Sequence, residues 1–176
     1  MPHRFDCQSS HAAAYLARPA ERLVLEGYRH AIAAAVTGGF APWQAATGLY
    51  RGILGPRGST AAMQALAEFI ATLGRCAACP LRTFESDSRH VCRDEVLVLG
   101  LVAGIQNGDD EAAELCLAAL SCATRCDEVA FAAGAFALVL RGLDKTLLPI
   151  PAPVVRDILD RSRAPRGGYD DSPTLH

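Results

Sequence analysis

Leu25, Tyr28, Ile32 and Val36 recur at i, i+3, i+7 and i+11, and the stripe ends at Thr37-Gly38-Gly39, a spacing that predicts a helix over 19–37. Pro42 sits where a first helical turn tolerates a missing N–H. Trp43, Ala46, Tyr50 and Ile53 then carry the period to Gly55-Pro56-Arg57-Gly58, which predicts a second helix. Ser59 has the chemistry of an N-cap. Beyond it, Met63, Leu66, Ile70 and Leu73 line one face while Gln64, Glu68 and Thr72 take the other, so a third helix is expected over 59–76. After an irregular stretch, residues 90–107 are apolar nearly all round their middle, as a helix enclosed by others would be. Asn107-Gly108 stops it.

Asp109, Asp110, Glu111 and Glu114 favour the positive end of a following helix, whose buried face is expected to be Ala113, Cys116, Leu117 and Leu120. A break near 121–124 precedes another stripe, Cys126, Val129, Ala133, Phe136 and Leu140, with Asp127 and Glu128 in the first turn and Arg141 in the last. Pro153 opens a last short helix in which Arg156–Asp160 and Asp157–Arg161 are i, i+4 pairs. The segment 95–104 also reads as a buried parallel strand. No other β-branched run in the chain offers it a partner, and Gly100 and Gly104 lack the spacing of phosphate-cradling loops. The expected fold is therefore all-α: a single-domain bundle of about seven helices over 19–162, with a central apolar helix near 90–107. Residues 1–18 form a leader with room for a short helix, and 163–176 a loose C-terminal tail.

Composition adds little surface polarity to this picture. The apolar share is 51% and the charged share 20%, against about 25% charged in ordinary soluble domains. Some apolar surface is left over, which marks partner surfaces, and a homodimer or another protein partner is expected. A net charge of −2 with scattered arginines argues against a nucleic-acid partner. The longest apolar run, 96–105, is half of the roughly 20 residues a bilayer span needs, and the first residues lack the pattern of a secretory signal. Seven cysteines cannot all pair internally, so a reducing cytoplasm is the expected compartment.

Candidate chemistry is concentrated in residues 75–92, which hold three of the seven cysteines and one of the five histidines. Cys76 and Cys79 have the C-x-x-C spacing that lets two thiolates share a tetrahedral ion. His90 and Cys92 are then the further ligands for zinc or another thiophilic metal, and Asp94 is the carboxylate that orients His90. In a regular helix residues 90 and 92 point apart, so only one of them would ligate there. The same Cys76 and Cys79 form a candidate redox dithiol. Over that motif and the upstream Glu68 alone, the chain resembles the alkylhydroperoxidase D and carboxymuconolactone decarboxylase family, in which a glutamate and a histidine relay the proton. Thr83 stands where that histidine would fall, and the chain is not assigned to the family. A helix C-terminus disfavours thiolate at the C-x-x-C motif, whereas Cys92, expected in a first turn, is the better candidate for a lowered thiol pKa. The third reading is packing, which Cys116 and Cys126 already fit by their places in core stripes. Glu26–His30 is read as a solvated i, i+4 pair, and Asp94–Glu95 as first-turn acids. The function expected is that of a non-enzymatic helical accessory or interaction protein; the alternative is a thiol-dependent, peroxidase-like oxidoreductase using Cys76 and Cys79.

Overall fold

The computed structural model describes residues 14–163. Its architecture is all-α: α1 (Pro19–Thr37), α2 (Ala41–Cys76), α3 (Arg93–Asn107), α4 (Asp110–Leu120), a 3₁₀ turn at Ala123–Arg125, α5 (Cys126–Gly142) and α6 (Ala152–Arg163). Prolines open α1 and α2, where a missing N–H costs nothing. Gly38, at φ 63°, closes α1 with its N–H on the Ala34 carbonyl, the left-handed cap that glycine adopts without strain. α2 is interrupted at Gly55, where φ 71° and ψ 174° fit no helix, and Pro56 restarts it. Its two halves correspond to the second and third expected helices, which brings the α-helical segments over residues 19–163 to seven. The restart lies at Pro56 rather than Ser59, whose hydroxyl donates to the Pro56 carbonyl inside the first turn.

α3 runs through the centre. Leu97, Val98, Leu99, Leu101, Val102 and Ala103 are all buried, and α1, α4, α5 and α6 pack around them. Burying a large aliphatic side chain is worth about 1.5–3 kcal/mol, so this helix holds the bundle together. The second half of α2 lies on α5, where Phe69 and Phe136 stack with ring centroids 5.9 Å apart. Tyr50, in the first half, donates its buried hydroxyl to the Leu23 carbonyl of α1.

Several expected positions shift. α3 begins at Arg93, so His90 and Cys92 precede the helix, Cys92 as its N-cap. On α4, Ala112, Cys116 and Leu120 are buried, whereas Ala113 and Leu117, expected on that face, are half-buried. Val36, the last residue of the α1 stripe, is 80% exposed because the α1–α2 turn extends beyond the core. Arg161 pairs with Asp157 as expected, whereas Arg156 reaches Glu111 of α4 instead of Asp160. The leader up to residue 13, with Cys7, and the tail from residue 164 lie outside the described residues.

The connections 77–92 and 143–151 are both held by buried polar side chains. Gln106 accepts from the Leu147 N–H at 2.8 Å and donates to the Ala137 and Lys145 carbonyls. Glu21 of α1 accepts the Leu148 N–H at 2.8 Å. Each otherwise orphaned backbone group thereby gains a partner, which is why these segments are ordered without strands or helices of their own. No helix among the described residues is long and apolar enough to cross a membrane.

Candidate functional site

The order of the segment 77–92 begins on α1, at Arg29. This arginine falls four residues after Leu25 and three before Ile32, within the arc that faces the core, and it is 1% exposed. A buried guanidinium requires charged and hydrogen-bonding partners. Arg29 has five contacts: Nε donates to Glu95 Oε1 at 2.8 Å, Nη1 to Glu26 Oε1 at 2.8 Å and to the Ser88 carbonyl at 3.0 Å, and Nη2 to the His90 carbonyl at 2.6 Å and Glu95 Oε2 at 3.3 Å.

The carboxylates continue the network. Glu95 also accepts from the Phe84 N–H and the Thr83 hydroxyl, both at 2.9 Å, and from the Cys92 N–H at 2.8 Å. Glu26 accepts the Asp87 N–H at 3.1 Å. Asp94 takes the Arg82 N–H at 2.9 Å, and Tyr28 donates its hydroxyl to the Arg82 carbonyl at 2.9 Å. The acids at 94 and 95 therefore do more than favour a helix start, and Glu26 is buried in the network rather than solvated beside His30. His30 Nδ1 lies 3.1 Å from the Ser86 hydroxyl.

Burial would raise the Glu95 pKa, but the Arg29 guanidinium, the Cys92 and Phe84 N–H groups and the Thr83 hydroxyl outweigh it and hold the carboxyl below its ordinary value of 4.5. A carboxylate depressed in the folded state contributes stability that is present above its unfolded pKa and is lost as pH falls through the folded one. Protection of the Phe84 and Cys92 amides against hydrogen exchange, both donors to Glu95, is therefore expected to fall selectively as the pH drops below the ordinary value of 4.5. Unchanged protection at these two amides on acidification would separate the segment's order from the Glu95 charge.

Cys92 differs from its expected chemistry. Its thiol pKa is raised, first by burial and then by the neighbouring Glu95 and Asp94 charges, against which the backbone N–H groups of the first turn are too weak. The thiol also donates to the Arg82 carbonyl at 3.3 Å. Cys92 is thus a capping and loop-anchoring residue, paired reciprocally with Glu95 in a capping box. Cys116 packs in the core as expected, its thiol pushed up to about 12 by burial and then by Asp109.

The four residues read as metal ligands occupy different environments. Cys76 is buried at the end of α2, Cys79 is exposed, Cys92 caps α3, and the His90 ring tilts against Phe84. Among the described residues, no three His, Cys, Asp or Glu side chains are gathered closely enough to hold a metal ion. Asp94, which was to orient His90, is bonded to the Arg82 N–H and to Arg93. Glu68 is exposed and pairs along its own helix with Thr72 and Arg75. The carboxylate beside Cys76 is instead Glu128 of α5, whose Oε2 lies 3.9 Å from the sulfur.

Cys79 opens onto a cleft of about 830 Å³ that is also lined by Arg82, Arg93, Asp94 and Arg161. Two of its three guanidiniums already pair with aspartates, Arg93 with Asp94 and Arg161 with Asp157. The segment that concentrates the candidate chemistry is thus an ordered strap between α2 and α3, and its ionisable groups at the Arg29 cluster are occupied in holding it. Comparison of the chain with family models, with curated proteins and with solved structures found no match.

Proposed function

We propose that the protein is a non-enzymatic helical interaction protein of the cytoplasm that acts as a homodimer joined through the outer face of α5. The observation that carries this reading is an apolar stripe pointing away from the bundle. Phe131 is 82% exposed and Leu138 59% exposed, with Ala135 and the partly exposed Gly134 between them. An isolated exposed leucine is ordinary, but two large apolar residues one heptad apart on one helix form a seam.

The charges at its ends favour a second copy as the occupant. Asp127 lies four residues before Phe131 and Arg141 three after Leu138, both exposed and on the same arc. Two α5 helices packed antiparallel about a two-fold axis near Gly134 set Asp127 against the partner's Arg141 and Phe131 against the partner's Leu138. Such an interface is self-complementary, as a two-fold dimer requires. The absence of a side chain at Gly134 lets the helices approach closely. Glu95, Glu26 and Asp94 support the non-enzymatic part of the reading, because each is already committed to a structural partner.

One short helix pair buries less than a standard interface, so the expected dissociation constant is roughly micromolar. Sedimentation equilibrium over a concentration series reads it directly. Phe131→Asp is expected to give a monomer at every concentration. Asp127→Arg weakens the dimer, and adding Arg141→Asp in the same chain restores it. A protein that is monomeric throughout, or a dimer indifferent to Phe131→Asp, would overturn the reading.

A further inference from the structure

The ends of α2 and α4 meet at an isolated antiparallel bridge between Ala77 and Ser121. The Ala78 N–H donates to the Leu120 carbonyl at 3.2 Å and the Cys122 N–H to the Cys76 carbonyl at 2.9 Å. This register sets Cys76 directly opposite Cys122. Residues joined by such a backbone hydrogen bond have Cα atoms about 5.5 Å apart, within the span that a disulfide bridges, and Cys76 reaches the junction as the last residue of α2.

The neighbouring charges converge on the same place. Arg125 donates to Glu128 from Nε at 2.8 Å and from Nη2 at 2.9 Å, and from Nη1 to the Arg75 carbonyl at 3.2 Å. The bond to the Arg75 carbonyl, and the place of Arg125 in the 3₁₀ turn that follows Cys122, set this guanidinium at the same junction. The other cysteines are placed differently. Cys126 Sγ contacts the Ser121 hydroxyl at 3.2 Å, and Ser121 points to the side of the ladder opposite Cys122. Cys79 is exposed on the cleft, whereas Cys76 is 1% exposed beneath Glu128.

We propose that Cys76 and Cys122, rather than Cys76 and Cys79, are the chain's reversible dithiol, and that they take up a disulfide by exchange with a small-molecule disulfide such as oxidised glutathione. The half-buried Cys122 meets the oxidant. Its thiolate attacks one sulfur of the small disulfide, forming a mixed disulfide and expelling the first small thiolate. The Cys76 thiolate then attacks the Cys122 sulfur, forming the protein disulfide and expelling the second. The two protons given up by Cys76 and Cys122 end on the two released thiols, so the protein loses two electrons and the small disulfide gains them. Closure clasps the C-terminal ends of α2 and α4 beside the 77–92 strap.

The test is oxidation of the full chain by glutathione disulfide at neutral pH, followed by blocking of free thiols and tryptic digestion without reductant. Cleavage after arginine places Cys76 and Cys79 in peptide 76–82, Cys116 and Cys122 in 94–125, and Cys126 in 126–141. The expected product joins 76–82 to 94–125, fragments to a Cys76–Cys122 link, disappears on reduction and survives Cys79→Ser. Cys122→Ser and Cys122→Ala are each expected to abolish it while keeping the helical circular dichroism of the parent. A link within 76–82, a link between 94–125 and 126–141, or glutathione adducts without any internal link would overturn the proposal.

Discussion

Replacement of Arg29 by methionine is expected to destabilise the protein by about 3–5 kcal/mol, the range found when one partner of a buried ion pair is removed. Methionine fills part of the space but leaves Glu26 and Glu95 as buried carboxylates without their cation, and removes the donor from the Ser88 and His90 carbonyls. In a domain of this size the melting temperature falls by roughly 6–20 °C. Arg29→Lys is expected to recover only part of the loss, because an ammonium cannot place donors on five acceptors that surround a planar fork. Combining Arg29→Met with Glu95→Gln is expected to cost less than the sum of the separate changes, since the second removes a charge that the first stranded. Urea unfolding of the four proteins measures this coupling. A cost below about 1 kcal/mol for Arg29→Met would place the cluster among ordinary surface pairs.

The second large effect is expected at Gly104. A Cβ there would lie 2.9 Å from the Ala113 nitrogen, 3.0 Å from the Asp109 oxygen and 3.1 Å from the Ala113 Cβ. Two of these atoms are backbone, at the point where α4 turns back across α3, and neither can rotate aside. Alanine normally gains about 1 kcal/mol over glycine in a helix interior, but separating α3 from α4 costs typically 1–3 kcal/mol. Gly104→Ala is therefore expected to destabilise despite its better propensity, and Gly104→Val to do so more strongly. Gly74 is the control: it is also helical, a Cβ there meets nothing within 4 Å, and Gly74→Ala is expected to stabilise by roughly 0.5–1 kcal/mol. Equal effects at the two positions in thermal melts would show that close approach of α4 does not decide the sign.

The stripes at 25–32 and 129–140 were legible in the chain because burial on one side of a helix recurs every three to four residues, whatever the helix packs against; Cys126, expected at the start of the second, is half-buried. The Arg29 cluster was not legible in the same way. Its partners at 84, 88, 90 and 95 are distant in sequence, and a charged residue between apolar ones ordinarily reads as solvated. The one available signal was Arg29's position inside the apolar arc of α1, four after Leu25. Cys92 shows the converse error: a helix start does favour thiolate, but the acids required to hold the loop occupy that start. The pairing of Cys76 with Cys122 depends on two helix ends meeting, which no local spacing encodes, whereas C-x-x-C is conspicuous because it is local.

Gly55 determines how compact the molecule can be. Thirty-six continuous helical residues would form a rod about 54 Å long at 1.5 Å per residue, while a domain of this size has a radius of gyration near 15 Å. A straight α2 would therefore carry one of its ends past the core. With the break, the first half stays on α1 through Tyr50 and the second on α5 through Phe69. Inserting one residue between Tyr50 and Gly55, inside the first half, would rotate Tyr50 by about 100° relative to the second half, turning it away from Leu23. The length of α2 is thus tolerable only because it is jointed, and the phase across that joint is as constrained as any side chain in the core.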